Sequence, residues 1–354
     1  MNYTDKTQEA VQLLKQLVAI PSISREESAA ANLIQKYLLD NGYEPVRTGN
    51  NVWTKCKRFD KLLPTILIDA HIDTVKPVAG WTHDPFTPEE TADGIIYGLG
   101  TNDDGASLVS MMQAFFLIDE MGGNPRYNLI FSASCEEEVS GKNGIESILP
   151  MLPLISFAII GEPTNMQPAI AEKGLMVIDV TNEGIAGHAA RNEGVNAIYK
   201  SIEDIQWITS HQFAKSSNLL GPVKTTVTII QAGTQHNVIP DRCLFTIDVR
   251  SNECYTNQEI FDEIAENLQG TAVARSFRLN SSSIDPTHPF VRNAISLGLT
   301  PFGSPTLSNQ ALIPFPSVKI GPGDSSRSHT ADEYIKTDEI AQAIELFPKL
   351  LSVN

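Results

Sequence analysis

Three short apolar runs in the first half of the chain stop in the same way. TILIDA (residues 65–70) ends in His71, Ile72 and Asp73. YNLIFSAS (127–134) ends in Cys135 and then Glu136, Glu137 and Glu138, and ISFAII (155–160) ends in Gly161, Glu162 and Pro163. Each run has strand length and little alternation, the pattern of a strand covered on both faces. Helical periodicity marks residues 7–18, 26–41 and, after GTNDDG, 106–121. Buried strands alternating with helices fold into a mostly parallel sheet covered by helices, so the fold class is α/β. In such sheets ligands gather beyond the carboxyl ends of the strands. His71 and Asp73, two residues apart, point to one side there.

From about residue 175 the character changes. LMVIDVTNEG is a strand, GVNAIYKSIEDIQWITSHQFA a helix, KTTVTIIQAG and CLFTIDVRS two strands, NQEIFDEIAENLQG a helix and TAVARSFRLN a strand. That order, βαββαβ, is the ferredoxin-like unit. Residues 175–283 are therefore expected to form an inserted α+β domain, with 1–174 and 284–354 forming the other. After the insert come a helix in HPFVRNAISLGLT, a strand near 317–320, the loop GPGDSSRSHTADEYI and a last helix over 337–351.

Five polar clusters then stand at strand ends or in loops: His71 with Asp73, Asp103 with Asp104, the three glutamates, Glu162, and His329. Imidazoles and carboxylates without thiolates suit Zn²⁺, Mn²⁺ or Co²⁺. Two histidines with several carboxylates could hold two ions. Such a site shares one carboxylate between ions about 3.5–4 Å apart and keeps one free acid as a base. Each cluster also has an ordinary reading. Asp103 and Asp104 before a helix could cap it, an EEE run could be a solvated face, and GEPT could be a turn. All five being ordinary together is a much poorer reading than any one alone. GLGTND is no dinucleotide fingerprint, because Asp103 stands where G-x-G-x-x-G needs its third glycine.

The bulk numbers restrict partners. The 354 residues carry a net charge of −16, which disfavours nucleic acid and anionic membranes. The first twenty residues are polar and then amphipathic, unlike a signal peptide, and no apolar run is long enough to span a bilayer. The four cysteines form no CxxC pair and read as reduced thiols, so a cytoplasmic protein is expected.

The chain resembles the dinuclear-zinc deacylases and carboxypeptidases, the group of acetylornithine deacetylase and succinyl-diaminopimelate desuccinylase. Seven segments carry the resemblance, in family order: HIDTV, YGLGTNDDGAS, EEEVSGKNG, GEPT, GHAARNEGVNAI, HNVIPDRCLFTIDVR and GPGDSSRSHTADEYI. The resemblance implies two divalent ions, most simply zinc with cobalt or manganese as alternatives. His71 and Glu162 would bind one, Glu138 and His329 the other, and Asp103 would bridge. Asp73 would orient the His71 ring, and Glu137 would be the general base. The family also has a cis peptide after its bridging aspartate, here Asp103–Asp104. Three departures leave alternatives open. The usual D-x-K-G is Asp103-Asp104-Gly105-Ala106 here, so Asp104 is an alternative bridge. The three glutamates allow a slip that makes Glu136 the base and Glu137 the ligand. The SGKNG loop is one residue longer than the usual pattern.

The implied activity is metal-dependent hydrolysis of the amide bond of an N-acyl amino acid, by a hydroxide shared between the ions. The segments GTNDDG, GHAAR and SHTADEYI suggest the acetylornithine deacetylase branch, which would place the chain in arginine biosynthesis. A desuccinylase of succinyl-ornithine, succinyl-citrulline or succinyl-diaminopimelate, an acetyl-lysine deacetylase, a dipeptidase or aminopeptidase, and a metal-poor binding homologue are the alternatives. The inserted domain would act as lid and homodimer contact. From it a partner subunit would supply His188 as oxyanion donor, and Arg250 and Asn237 would hold the substrate carboxylate. His83, His211, His236 and His288 fall in no motif and read as structural or surface residues.

Overall fold

In the computed structural model, which describes residues 3–124, 126–191 and 193–352, the run at 65–70 becomes the strand Thr65–His71, buried along nearly its whole length. It lies between two parallel neighbours, Asn128–Ser134 and Phe157–Ile160. Ser317–Lys319 runs parallel to Phe157–Ile160 on the far side. The register places His71 opposite Ser134 and Asp69 opposite Ile160. All three acid-bearing ends therefore emerge at one edge. Asn51–Lys55 and Val46–Thr48 extend the sheet antiparallel beside Asn128–Ser134.

The helix Ala106–Glu120 is buried at every residue from Ala106 to Asp119. Such all-round burial suits its all-round apolar sequence. It packs against the helices Tyr3–Val18 and Thr337–Leu351, which also pack against each other. Leu14, Ile34, Phe115, Phe131 and Phe347 meet in the core so formed. Asp69 interrupts the apolar strand but accepts hydrogen bonds from Ser132, Ser134 and Asn309, which burial of a carboxylate requires. Burial pushes its carboxyl up to about 6. A small antiparallel sheet joins Ile95–Tyr97 to Tyr334–Lys336, just before residue 98 and just after Glu333.

The chain divides into two compact units, with the second made of residues 171–283 and 303–307. The expected boundary at 175 thus falls four residues earlier, and the short segment 303–307 joins this unit. Its sheet runs in the order Lys224–Ala232, Arg242–Arg250, Met176–Glu183, Thr271–Ala274, all antiparallel. This is the strand order of the ferredoxin-like unit. The helices Ala197–Ser210 and Asn257–Asn267 accompany it, the second opened by a capping box between Thr256 and Glu259. The sheet has its own core of Ile178, Phe245, Ile247, Ile260 and Ile264. Met176–Glu183 alternates buried and half-buried residues, as a strand covered on one face does. The last run, TAVARSFRLN, is a strand only at Thr271–Ala274, shorter than its sequence implies.

Among the described residues no helix is long and apolar enough to cross a membrane. Cys56, Cys135, Cys243 and Cys254 are all free thiols.

Candidate metal centre

His71 ends its strand with a fixed ring. Its Nδ1 lies 2.9 Å from the main-chain carbonyl of Asp73, to which it donates. Nε2 faces Asp103 Oδ1 at 3.1 Å. The other oxygen, Asp103 Oδ2, lies 3.7 Å from Nε2 of His329. One carboxylate thus faces both histidines. Asp104, joined to Asp103 by a cis peptide, is also buried but turned away, its Oδ2 lying beside Gly161. A Cβ on Gly161 would come within 2.7 Å of that oxygen, so glycine is required where the Glu162 strand passes the loop. Burial raises the Asp104 carboxyl well above the usual range.

The three glutamates separate in space. Glu138 meets His329 Nε2 at 3.0 and 3.1 Å through its two oxygens. Glu137 approaches His71 Nε2 to 4.0 Å. Glu136 points elsewhere, its Oε1 accepting from Asn143 Nδ2 at 2.9 Å. The turn is shaped from its backbone. The N–H of Glu136 donates to Glu27, and those of Glu137 and Glu138 donate to the two oxygens of Asp73. Asp73 meets the His71 ring from two sides. Its carboxylate lies 3.6 Å from Nδ1 and also accepts from the glutamate turn and Ser24, and its main-chain carbonyl accepts from Nδ1.

The donor atoms of His71, Asp103 and Glu138 lie within 4.8 Å of one another, as do those of His71, Glu137 and Glu162. A tetrahedral ion with bonds of about 2.0–2.2 Å holds its donors roughly 3.3–3.6 Å apart, close to the 3.1 Å between His71 Nε2 and Asp103 Oδ1. The charges fit as well. Burial, reinforced by neighbouring acids, raises Glu137 well above the usual carboxylate range, and burial does the same to Glu162. The hydrogen bond to Glu138 raises His329 to about 9. Burial opposes a charge on His71, yet its bonds to Asp103 and Asp73 outweigh that and raise it too. Acids packed this closely need cations, and divalent ions would supply them.

Four supporting features went unread in the sequence. Glu333 is buried and accepts from the backbone N–H groups of Gly100, Asn102 and Asp103. Lys319 is buried, and its charge acts on Glu162. Glu27 holds the glutamate turn, and Asn309 holds Asp69. Glu333 falls in the segment GPGDSSRSHTADEYI, and an isolated lysine ending the apolar Ser317–Lys319 strand is the one visible sign of the second.

In the second unit His188 and Asn237 are neighbours. Gly187–His188 pairs with Val238–Ile239, and Ala189 donates to the Asn237 carbonyl. His188 is exposed, and its Nδ1 accepts from the Ala190 N–H. Arg250 is gripped by Asp248 through Nε and one Nη, at 2.9 and 3.2 Å. His83 stacks on Tyr97, His211 on Trp207 and His288 on Phe157.

The model of peptidase family M20/M25/M40 matches residues 67–352. The chain belongs to this family. It is a metal-dependent amidohydrolase, as its sequence motifs imply. Among curated relatives, acetylornithine deacetylase of Pectobacterium carotovorum is 27% identical, over 96% of each chain. Succinyl-diaminopimelate desuccinylase of Corynebacterium glutamicum is 25% identical over 96% of this chain and 95% of its own. Among solved structures, aminopeptidase PepT of Bacillus cereus superposes with a TM-score of 0.77 at 20% identity, covering 97% of both chains. A dinuclear metal binding M20 peptidase of Bacillus subtilis, YXEP, gives 0.75 at 18% identity over 98% of both. These structural likenesses establish the α/β fold.

Proposed function

We propose that this member of the family removes the acyl group from an N-acyl amino acid, in the manner of acetylornithine deacetylase. The observation that carries the reading is Asp103, which presents one oxygen to each histidine. In this reading His71 and Glu162 would hold one divalent ion and Glu138 and His329 a second, with Asp103 available to both. Zinc suits the nitrogen and oxygen donors best, with cobalt or manganese as substitutes. Bound divalent ions would supply a water acidic enough to react at neutral pH and would polarise the amide carbonyl.

The chain's own groups do the rest. Glu137, beside His71 and outside the pairing of Glu138 with His329, is the general base. It takes a proton from the attacking water and returns it to the leaving nitrogen. Because His188 Nδ1 accepts a hydrogen bond, its ring proton sits on Nε2, where it can donate to a developing oxyanion. We assign that role to the His188 of a partner subunit. Asn237, its neighbour, and Arg250 would hold the substrate carboxylate; Asp248 engages two of the five guanidinium donors of Arg250.

Support for a homodimer comes from the Lys224–Ala232 strand. It is an edge strand, with Ile229 47% and Ile230 52% exposed. Long exposed apolar edges invite strand pairing with another chain. A role in arginine biosynthesis in the cytoplasm follows if the substrate is acetylornithine.

A panel of acetylated and succinylated ornithine, citrulline, lysine and diaminopimelate, with dipeptides and tripeptides beside them, tests the reading. Acetylornithine should have the highest kcat/KM. A peptide or a succinyl compound turning over faster would move the chain to that branch, and no hydrolysis of any would refute the assignment.

A further inference from the structure

Glu333 follows His329 by four residues, and its carboxylate lies under the loop that carries Asp103. Oε1 accepts from the N–H groups of Asn102 and Asp103, both at 2.9 Å, and Oε2 accepts from the N–H of Gly100 at 3.2 Å. The residue is 2% exposed, so solvent does not compete for these bonds. A second tie runs the other way. Asn102 Oδ1 accepts from the Asp324 N–H at 3.0 Å, and its Nδ2 donates to the Asp324 carbonyl at 3.1 Å. The Gly98 N–H donates to the Glu333 carbonyl at 3.0 Å. Residues 98–103 are thus pinned to the segment that presents His329.

We propose that Glu333 is a positioning residue for the metal centre: its carboxylate gathers the Gly100, Asn102 and Asp103 amides and so fixes Asp103 between the two histidines. The inference rests on the reading of Asp103 and His329 as metal ligands. Its physical basis is that three backbone donors cannot all be satisfied by a neutral amide at this position. An ionised carboxylate has only acceptors, whereas an amide must turn an N–H₂ towards at least one of the N–H groups. Hydrogen bonds from backbone N–H to a buried carboxylate are among the strong ones. The adjacent acid does a different job on the same segment. Asp332 accepts from Thr82 and from the His83 N–H, and makes no bond to the Asp103 loop.

The pair separates a directed role from general loosening. Metal-free wild type, Glu333→Gln and Asp332→Asn would be titrated with Co²⁺ in competition with a chelator, followed by visible absorption. The thermal transition of each metal-free protein would be recorded as well. Loss of a partner that orients a metal ligand typically weakens binding 10–100-fold. Glu333→Gln should bind its second equivalent at least about tenfold more weakly, with an altered cobalt spectrum, while Asp332→Asn binds as wild type does. Two equivalents bound by Glu333→Gln with wild-type affinity would overturn the proposal. So would an equal loss in both variants. If Glu333→Gln does not fold, Glu333→Asp, which keeps the charge but retracts it by one methylene, is read in the same titration. Unchanged affinities there overturn the proposal equally. A wild type that takes up no metal would instead refute the underlying reading of the ligands.

Discussion

Asp103 and Asp104 are chemically identical neighbours, and the fold gives them opposite surroundings. Asp103 faces His71 and His329, while Asp104 is turned towards Gly161. The three glutamates divide in the same way. Glu137→Gln should lower turnover by about 10²–10⁴-fold with metal content near normal, since a base is lost and no ligand. Rate assays with parallel metal analysis check this. Loss of metal in Glu137→Gln, with only rate lost in Glu136→Gln, would shift both roles by one residue. Nothing in the run Glu136-Glu137-Glu138 ranks its members. What ranks them is the capping of successive N–H groups by Glu27 and Asp73, residues 109 and 64 or 65 positions away along the chain. A sequence motif names the residue types; those distant acceptors set which side chain turns inward.

The strand ends bring the ligands to one edge, and the turns beyond them set direction. Apolar runs without alternation made the parallel sheet legible, because only strands covered on both faces have that pattern. Asp69 was not legible as a satisfied buried acid, since its partners come from residues 132, 134 and 309. The turn after Asn128–Ser134 is closed around Gly141 and Gly144. A Cβ on Gly141 would lie 1.9 Å from Glu136 Oε2 and 2.5 Å from Glu136 Cβ. Glu136 is itself held in the left-handed region, at φ 56°. Gly141→Ala should therefore cost about 1–3 kcal/mol of stability, the usual range for overpacking, and reduce activity by displacing Glu137 and Glu138. Denaturant midpoints and rates would show it. Wild-type values for both would mean that the turn tolerates the added carbon.

The βαββαβ order announced the inserted unit, and the structure gives it a separate core. The role in catalysis proposed for it needs two chains. His188→Ala and Glu137→Gln should each be nearly inactive yet bind metal. Mixing them under conditions that exchange subunits should restore activity, because one site of a mixed dimer then has an intact Glu137 and an intact partner His188. Demonstrated exchange with activity still at background would remove His188 from the partner's site. Before that, the whole reading depends on metal. Chelator-treated protein, titrated with Zn²⁺ while bound metal and hydrolysis of acetylornithine are followed together, should be inactive at first and take up two equivalents per chain. Activity should return with that uptake, and Asp103→Asn should neither retain two ions nor recover. Full activity in demonstrably metal-free protein, or two tightly bound ions in Asp103→Asn, would contradict it.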